Sequence, residues 1–384
     1  MSTLTSAPTV GAPGAVPVAV LDDADAPPAL VSSATPWLKT SATPRLSKHI
    51  PLPGRAERKW PWMLAAMGAG AAVALSSRLN GTLAGNLGNP ILGAAFNFGN
   101  GLMVLCLLAL IFPQSRAGIR AIFDAVRGRV SSADVRPLRW YELCGGIGGS
   151  VMVVAQGTAV PVLGLGVFMV ALVCGQMIGS LLIDRAGLGP AGKIPVTPVR
   201  LIGPALAIMG VMLSVSAVFT LPGVFWLIVL PIIGGITVSW QHAVNGRTKA
   251  AAATSGGGQL FYTMASATVS FLFGFIFLVL VNATIALFNG GLNANFGATR
   301  VWMYLGPLLG IIYVGTSAFC VGKLGVLQMV LLIVSGNMIG ALVFDTLLGN
   351  PPLATTIAGA ALTVVAASVP VIATTLKARR NTAS

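Results

Sequence analysis

Side chains able to bind or polarise a solute are scarce in this chain, and most of the strongly polar ones sit inside apolar runs. The candidates for contact with a substrate are Arg78, Asn80, Gln156, Gln176, Gln241, His242, Asn245, Tyr262 and Asn337. In hydrocarbon such groups are costly, so each is a functional expectation by default. An amide has two donors and an acceptor, which suits a neutral or zwitterionic solute. The same chemistry lets Gln176 and Asn337 serve as glue between helices. Arg78 and Asn80 lie within one turn of each other, beside Gly81, Gly85, Gly88 and Pro90. Two readings stay open for them: a half-broken helix whose Arg meets an anionic group, or an Arg that reaches outer headgroups while Asn80 ends the helix. His242 is either a proton carrier, since an imidazole ordinarily titrates near about 6.5, or a hydrogen-bonded packing group. Phe96, Phe98, Tyr262 and Trp240 could wall a pathway, whereas Trp60, Trp62, Trp140 and Trp302 read as interfacial anchors.

Other chemistry is missing from the sequence. It has no Gly-rich phosphate loop, no HExxH, no nucleophile elbow and no Cys/His metal spacing. Cys106, Cys144, Cys174 and Cys320 fall within or at the ends of apolar runs and imply neither a disulfide framework nor a metal site. Glu142 opens the third apolar run, where a carboxylate suits the positive end of a helix and needs no catalytic role. The expectation is a protein that is not an enzyme or an ATP-driven pump and has no catalytic residues, cofactor or metal.

These groups must be held by membrane helices. Hydrophobic residues make up 55% of the chain and charged residues 8%, with a mean hydropathy of +0.87; an ordinary globular chain is roughly 25% charged. Spans of about 20 apolar residues are expected at 61–83, 91–112, 140–160, 163–183, 199–219, 223–244, 260–287, 302–321, 324–346 and 354–375. The segment GQMIGSLLID at 175–184 returns as GNMIGALVFD at 336–345, with six of ten positions identical at an offset of 161. Gly145 and Gly149 pair with Gly306 and Gly310 at the same offset, while Asn80-Gly81 recurs as Asn245-Gly246. Gly175, Gly179, Gly336 and Gly340 complete the set of small residues expected to bring helices close. The fold class that follows is an all-α polytopic membrane protein of ten transmembrane helices in two inverted five-helix repeats. An odd number of spans inserts the second copy upside down, so Asp184 and Asp345 should lie at opposite mouths, each terminating its helix near cations such as Arg185.

Four segments result: a disordered basic cytoplasmic tail at 1–59, repeats at 60–220 and 221–376, and a basic tail at 377–384. With the first tail inside, all of the 23 Lys and Arg except Arg78 and Arg300 fall in cytoplasmic segments, six of them in the loop 113–139. Both termini are therefore expected in the cytoplasm. The net charge of +14 reports topology and contact with anionic lipid. It does not suggest nucleic acid, since no recognition motif accompanies it.

The strings SSRLNGTLAGNLGNPILGAAFNFGNG, WYELCGGIGGS, LGLGVFMVALVCGQMIGSLLIDRAGL and RLIGPALAIMGVML resemble the five-helix YdcZ-type domain of the drug/metabolite transporter superfamily (EamA-like), a group of bacterial inner-membrane exporters. The second copy is similar through WQHAVNGR and LGVLQMVLLIVSGNMIGALVFD. There Asn337 replaces the Gln of the GQ pair, and Gln241 suits the family's usual Gln where the first copy has Ser76. The resemblance implies a tandem two-copy transporter in a bacterial plasma membrane with an undefined substrate. The expected function is secondary transport, the export of a small organic metabolite or drug-like compound by alternating access. Partners are that solute and the bilayer, and the chain is a monomer or homodimer. A lipid or amphiphile transporter and a non-transport membrane scaffold are the alternatives; deleting residues 1–50 should cripple only a tail-dependent scaffold.

Overall fold

The computed structural model describes residues 60–129, 137–189, 192–193, 195–216, 224–291, 293–324 and 326–383. The expected tail at 1–59 and the boundary between copies at 220/221 lie outside the described residues. The helices are α1 (Trp60–Leu87), α2 (Pro90–Ile111), α3 (Pro113–Val126), α4 (Gly145–Leu163), α5 (Leu165–Ala186), α6 (Pro198–Val215), α7 (Val224–Ala253), α8 (Gln259–Asn289), α9 (Gly306–Leu324), α10 (Val326–Leu347) and α11 (Ala354–Ala383). Among the described residues there is no strand. Seven helices there are long and apolar enough to cross a membrane, and three shorter apolar helices lie in α6, at Val301–Thr316 and in α11.

Local chemistry sets many of the boundaries. Asn89 caps α2, its Oδ1 accepting from Leu92 N at 2.9 Å with Pro90 at the first helical position. Gly88 at φ 66 ends α1, and Gly187 at φ 69 ends α5, a left-handed backbone that glycine adopts without steric cost. α1 runs unbroken through Asn80-Gly81 to Leu87, against the half-broken helix that was one of the two readings open there. The Gly series does not unwind it because α4 is packed against it: a Cβ on Gly81 would stand 3.0 Å from Val160. A second departure is α3, read from sequence as part of a basic loop. Its fourteen residues are too few to span a bilayer. Ser115, Gly118, Ile122 and Ala125 make one buried face, packed on α7 and α8, while Arg116, Arg120 and Arg127 are exposed. The expected tail at 377–384 is helical through Ala383 as the end of α11.

In hydrocarbon no hydrophobic effect separates a helix from lipid, so association depends on close packing. α1 and α10 interlock through Met67 with Gly336, Gly70 with Ile333 and Asn337, and Ala71 with Gly340; a Cβ on Gly336 would run into the Met67 carbonyl. α5 and α7 interlock through Ile232 with Gly175, Gly235 with Leu172 and Gln176, and Ile236 with Gly179. Adding 161 to the α5 numbers and subtracting 165 from the α7 numbers converts the second set into the first. In both pairs the numbers rise together, so the helices run parallel.

Gly81 with Val160 and Gly85 with Pro161 make α1 parallel to α4. α4 and α7 are antiparallel, since Gly145 faces Asn245, Gly149 faces Gln241, and Gly234 faces Met152. α7 therefore runs opposite to α1. Gly310 departs from its expected packing role, because a Cβ there would meet nothing within 4 Å. α5 is enclosed over its first half, where the residues from Leu165 to Gly175 are all buried.

Candidate functional site: an amide cluster beneath an Arg–Asp cavity

α1 presents Ser76, Ser77, Arg78, Asn80 and Thr82 on adjoining turns, and its neighbours decide what each does. Asn80 Nδ2 donates to Gln156 Oε1 at 2.8 Å, and Asn97 Nδ2 donates to Asn80 Oδ1 at 2.7 Å. Gln156 Nε2 donates to Ser77 Oγ at 2.8 Å, which donates to Val73 O at 3.0 Å. All four side chains are buried. The chain of donors thus joins α1, α2 and α4, and Asn80 does not end its helix. Ser76 Oγ adds a bond to Gly306 O at 2.8 Å, at the start of α9.

The two copies repeat one part of this arrangement. A Cβ on Gly306 would come within 2.5 Å of Asn80 Oδ1, and one on Gly145 within 2.6 Å of Asn245 Oδ1. Each copy's first helix thus places its Asn against the glycine that opens a helix of the other copy, α9 or α4. Gln241 packs on Gly149 and donates to Ser270 Oγ at 3.2 Å. His242 is exposed, whereas Ser77, 165 positions earlier, is fully buried.

Towards the C-terminal end of α1, one turn past the amide cluster, a cavity of 620 Å3 opens between α1, the end of α4, the start of α5 and the loop after α10. Arg78 and Asp345 line it together with Thr82, Asn86, Ser214 and Asn350. Asp345 is 4% exposed. Its two oxygens accept from Leu165 N at 3.1 Å and Gly166 N at 2.7 Å, supplying partners for amides that the start of α5 would otherwise leave unpaired. Its carboxylate also favours the positive end of that helix. Arg78 Nη1 stands 4.0 Å from Asp345 Oδ1.

Asp184, its equivalent in the repeat, sits eighteen residues beyond Gly166 on the same helix, roughly 27 Å away at 1.5 Å per residue. It is partnered by Arg200 Nη2 at 2.6 Å. The aspartates therefore lie at opposite ends of α5 and differ in environment.

The remaining candidates lie elsewhere. Gln176 and Asn337 sit at the crossings of α5 with α7 and of α10 with α1. The Gln176 carbonyl accepts from Ser180 Oγ at 2.6 Å and Ser239 Oγ at 2.9 Å. Asn337 is buried, and its Oδ1 has no hydrogen-bond partner among the described residues. Tyr262, expected at the pathway, packs instead with Ile122, Leu138 and Leu143 beneath α3. Phe96 stacks edge-on against Tyr304, and Phe98 lies 4.9 Å from Phe271 between α2 and α8.

Three participants lay outside the expected set. Ser77 and Asn97 complete the amide cluster, and Asn97 could have been found by the rule that selected Gln156, a polar group within an apolar run. Arg247 is the third: its Nε pairs with Glu142 Oε1 at 2.6 Å, both side chains being buried. Glu142 Oε2 also accepts from Arg139 N at 2.7 Å, so the carboxylate both caps the turn before α4 and ties it to α7.

Helices long and apolar enough to span a bilayer, around a polar cluster and a charged cavity, define a polytopic membrane protein. A family model described as "Putative inner membrane exporter, YdcZ" matches residues 61–213 and again residues 226–369. The chain belongs to this family and carries its domain twice in tandem. No curated protein matches the chain significantly.

Proposed function

We propose that the chain is a secondary transporter that exports a small organic compound by alternating access between two inverted five-helix copies. In this reading ten helices cross a bacterial plasma membrane, the three shorter apolar helices included, and both termini are cytoplasmic. The observation that carries it is the reciprocal interlock of α1 on α10 and α7 on α5 through equivalent residues. Two copies built to exchange roles give an inward-open and an outward-open state of similar energy. A solute or coupled ion then biases their populations through its differential affinity. The unequal polar clusters support this reading: the one around Asn80 is shut by hydrogen bonds, while His242 on the other side is exposed.

The test begins with metabolites in cells lacking and overproducing the protein and continues with flux in proteoliposomes under an imposed pH gradient. Accumulation inside the deletion strain and gradient-dependent flux are expected. No change in either measurement overturns the reading. His242→Ala retaining full pH-gradient-dependent flux removes the imidazole as the proton carrier.

A further inference from the structure

The geometry points to the cavity at the C-terminal end of α1 as a binding site for a small organic monocarboxylate, held by the Arg78 guanidinium with its apolar body against the ends of α4 and α5. This rests on the exporter reading for the statement that the bound molecule is a substrate.

The two charged groups of the cavity are unequally committed. Asp345 is anchored by two amide donors at 3.1 and 2.7 Å and by the start of α5. Arg78, by contrast, makes no side-chain hydrogen bond among the described residues, and its contact with Asp345, at 4.0 Å, exceeds hydrogen-bond length. A guanidinium has five donors in a planar fork that matches a carboxylate two bonds at a time. With 20% of its side chain exposed, it meets the cavity with those donors unspent.

Ser214 also borders the cavity, but its hydroxyl is buried against Gly359 of α11. Val160, Val162, Leu163, Val167 and Leu353 supply apolar wall, and 620 Å3 falls within the usual range of about 300–1,000 Å3 for small-molecule sites. Arg78 is the sole cation among the described lining residues and Asp345 the sole anion. A second negative charge on the ligand would find Asp345 and no further cation, so monoanions are favoured over dianions. In this arrangement Asp345 positions the guanidinium and does not bind the ligand.

The test uses the purified full-length protein in lipid nanodiscs at pH 7, with binding followed by calorimetry. The probes share one ring: benzoate, benzamide, benzylammonium and terephthalate. Saturable binding of benzoate is expected, weaker by roughly tenfold or more for benzamide and terephthalate. Arg78→Gln should reduce benzoate to the benzamide level, and Arg78→Lys should recover part of the loss. Comparing probes on the unaltered protein needs no variant to fold. Equal binding of benzoate and benzamide, tighter binding of benzylammonium, no binding of benzoate, or undiminished benzoate binding by folded R78Q each overturns the assignment. Proteoliposomes separate this failure from that of the exporter reading. Benzoate held through Arg78 but never moved under any gradient retires export and keeps the site; flux of benzylammonium without benzoate binding retires the site and keeps export.

Discussion

Asn80 shows how much one amide can hold when every atom of it is used. Its Nδ2 serves Gln156, its Oδ1 serves Asn97, and the same oxygen lies where a side chain on Gly306 would have to go. An interhelical hydrogen bond in a membrane protein contributes only about 0.6 kcal/mol on average, but leaving a buried partner unsatisfied costs about 1–3 kcal/mol. Asn80→Ala strands a donor and an acceptor at once. It should destabilise the protein by about 2–4 kcal/mol, read as lowered thermal unfolding in detergent, whereas Thr82→Ala, which removes only a bond to its own helix, should move the midpoint little. The Glu142–Arg247 pair makes a sharper prediction. Removing one partner of a buried pair costs about 3–5 kcal/mol, so Arg247→Met should unfold far earlier than the parent. Adding Glu142→Gln to that variant should restore part of the loss; no recovery would mean that the pairing contributes little. Gln156, His242 and Asn245 could be picked out in the sequence because a polar group in an apolar run is conspicuous. Asp345 could not be weighed the same way, because span ends read from hydropathy are uncertain by several residues and burial is decided there by the neighbouring start of α5.

The helix crossings were largely foreshadowed by the spacing of glycines, but their partners were not. Gly336 and Gly310 belong to one repeat pattern, yet the first abuts the Met67 carbonyl and the second faces open space. Gly336→Ala should therefore cost about 1–3 kcal/mol through overpacking. Gly310→Ala should be neutral or stabilising by up to about 1 kcal/mol, since alanine is the better helix former. A matched pair of unfolding curves decides it, and equal losses would contradict the interlock. α3 escaped the hydropathy reading because its buried stripe is made of Ser115, Gly118, Ile122 and Ala125, only one of them large and apolar. Amphipathic spacing was present, but four arginines from Arg116 to Arg129 masked it in any average over the segment.

The copies meet crosswise, α1 of the first on α10 of the second and α7 of the second on α5 of the first. Asp184 and Asp345 stand at opposite ends of α5, so cysteines introduced beside them at the exposed positions Arg185 and Leu348, in a background without other thiols, should react with an impermeant reagent from opposite sides of the membrane. Labelling of both from one side would overturn the proposed inversion of the two copies. Composition was enough to establish a membrane protein, and the offset between GQMIGSLLID and GNMIGALVFD was enough to establish duplication, because both properties are written along the chain and need no folding to be read. The pairing of Asn80 with Gln156, the anchoring of Asp345 on α5 and the cavity that leaves Arg78 with unused donors join residues 76, 180 and 267 positions apart. Such contacts depend on which helix faces lie together, and spacing within one helix constrains its own stripes while saying nothing about which neighbour will cover them.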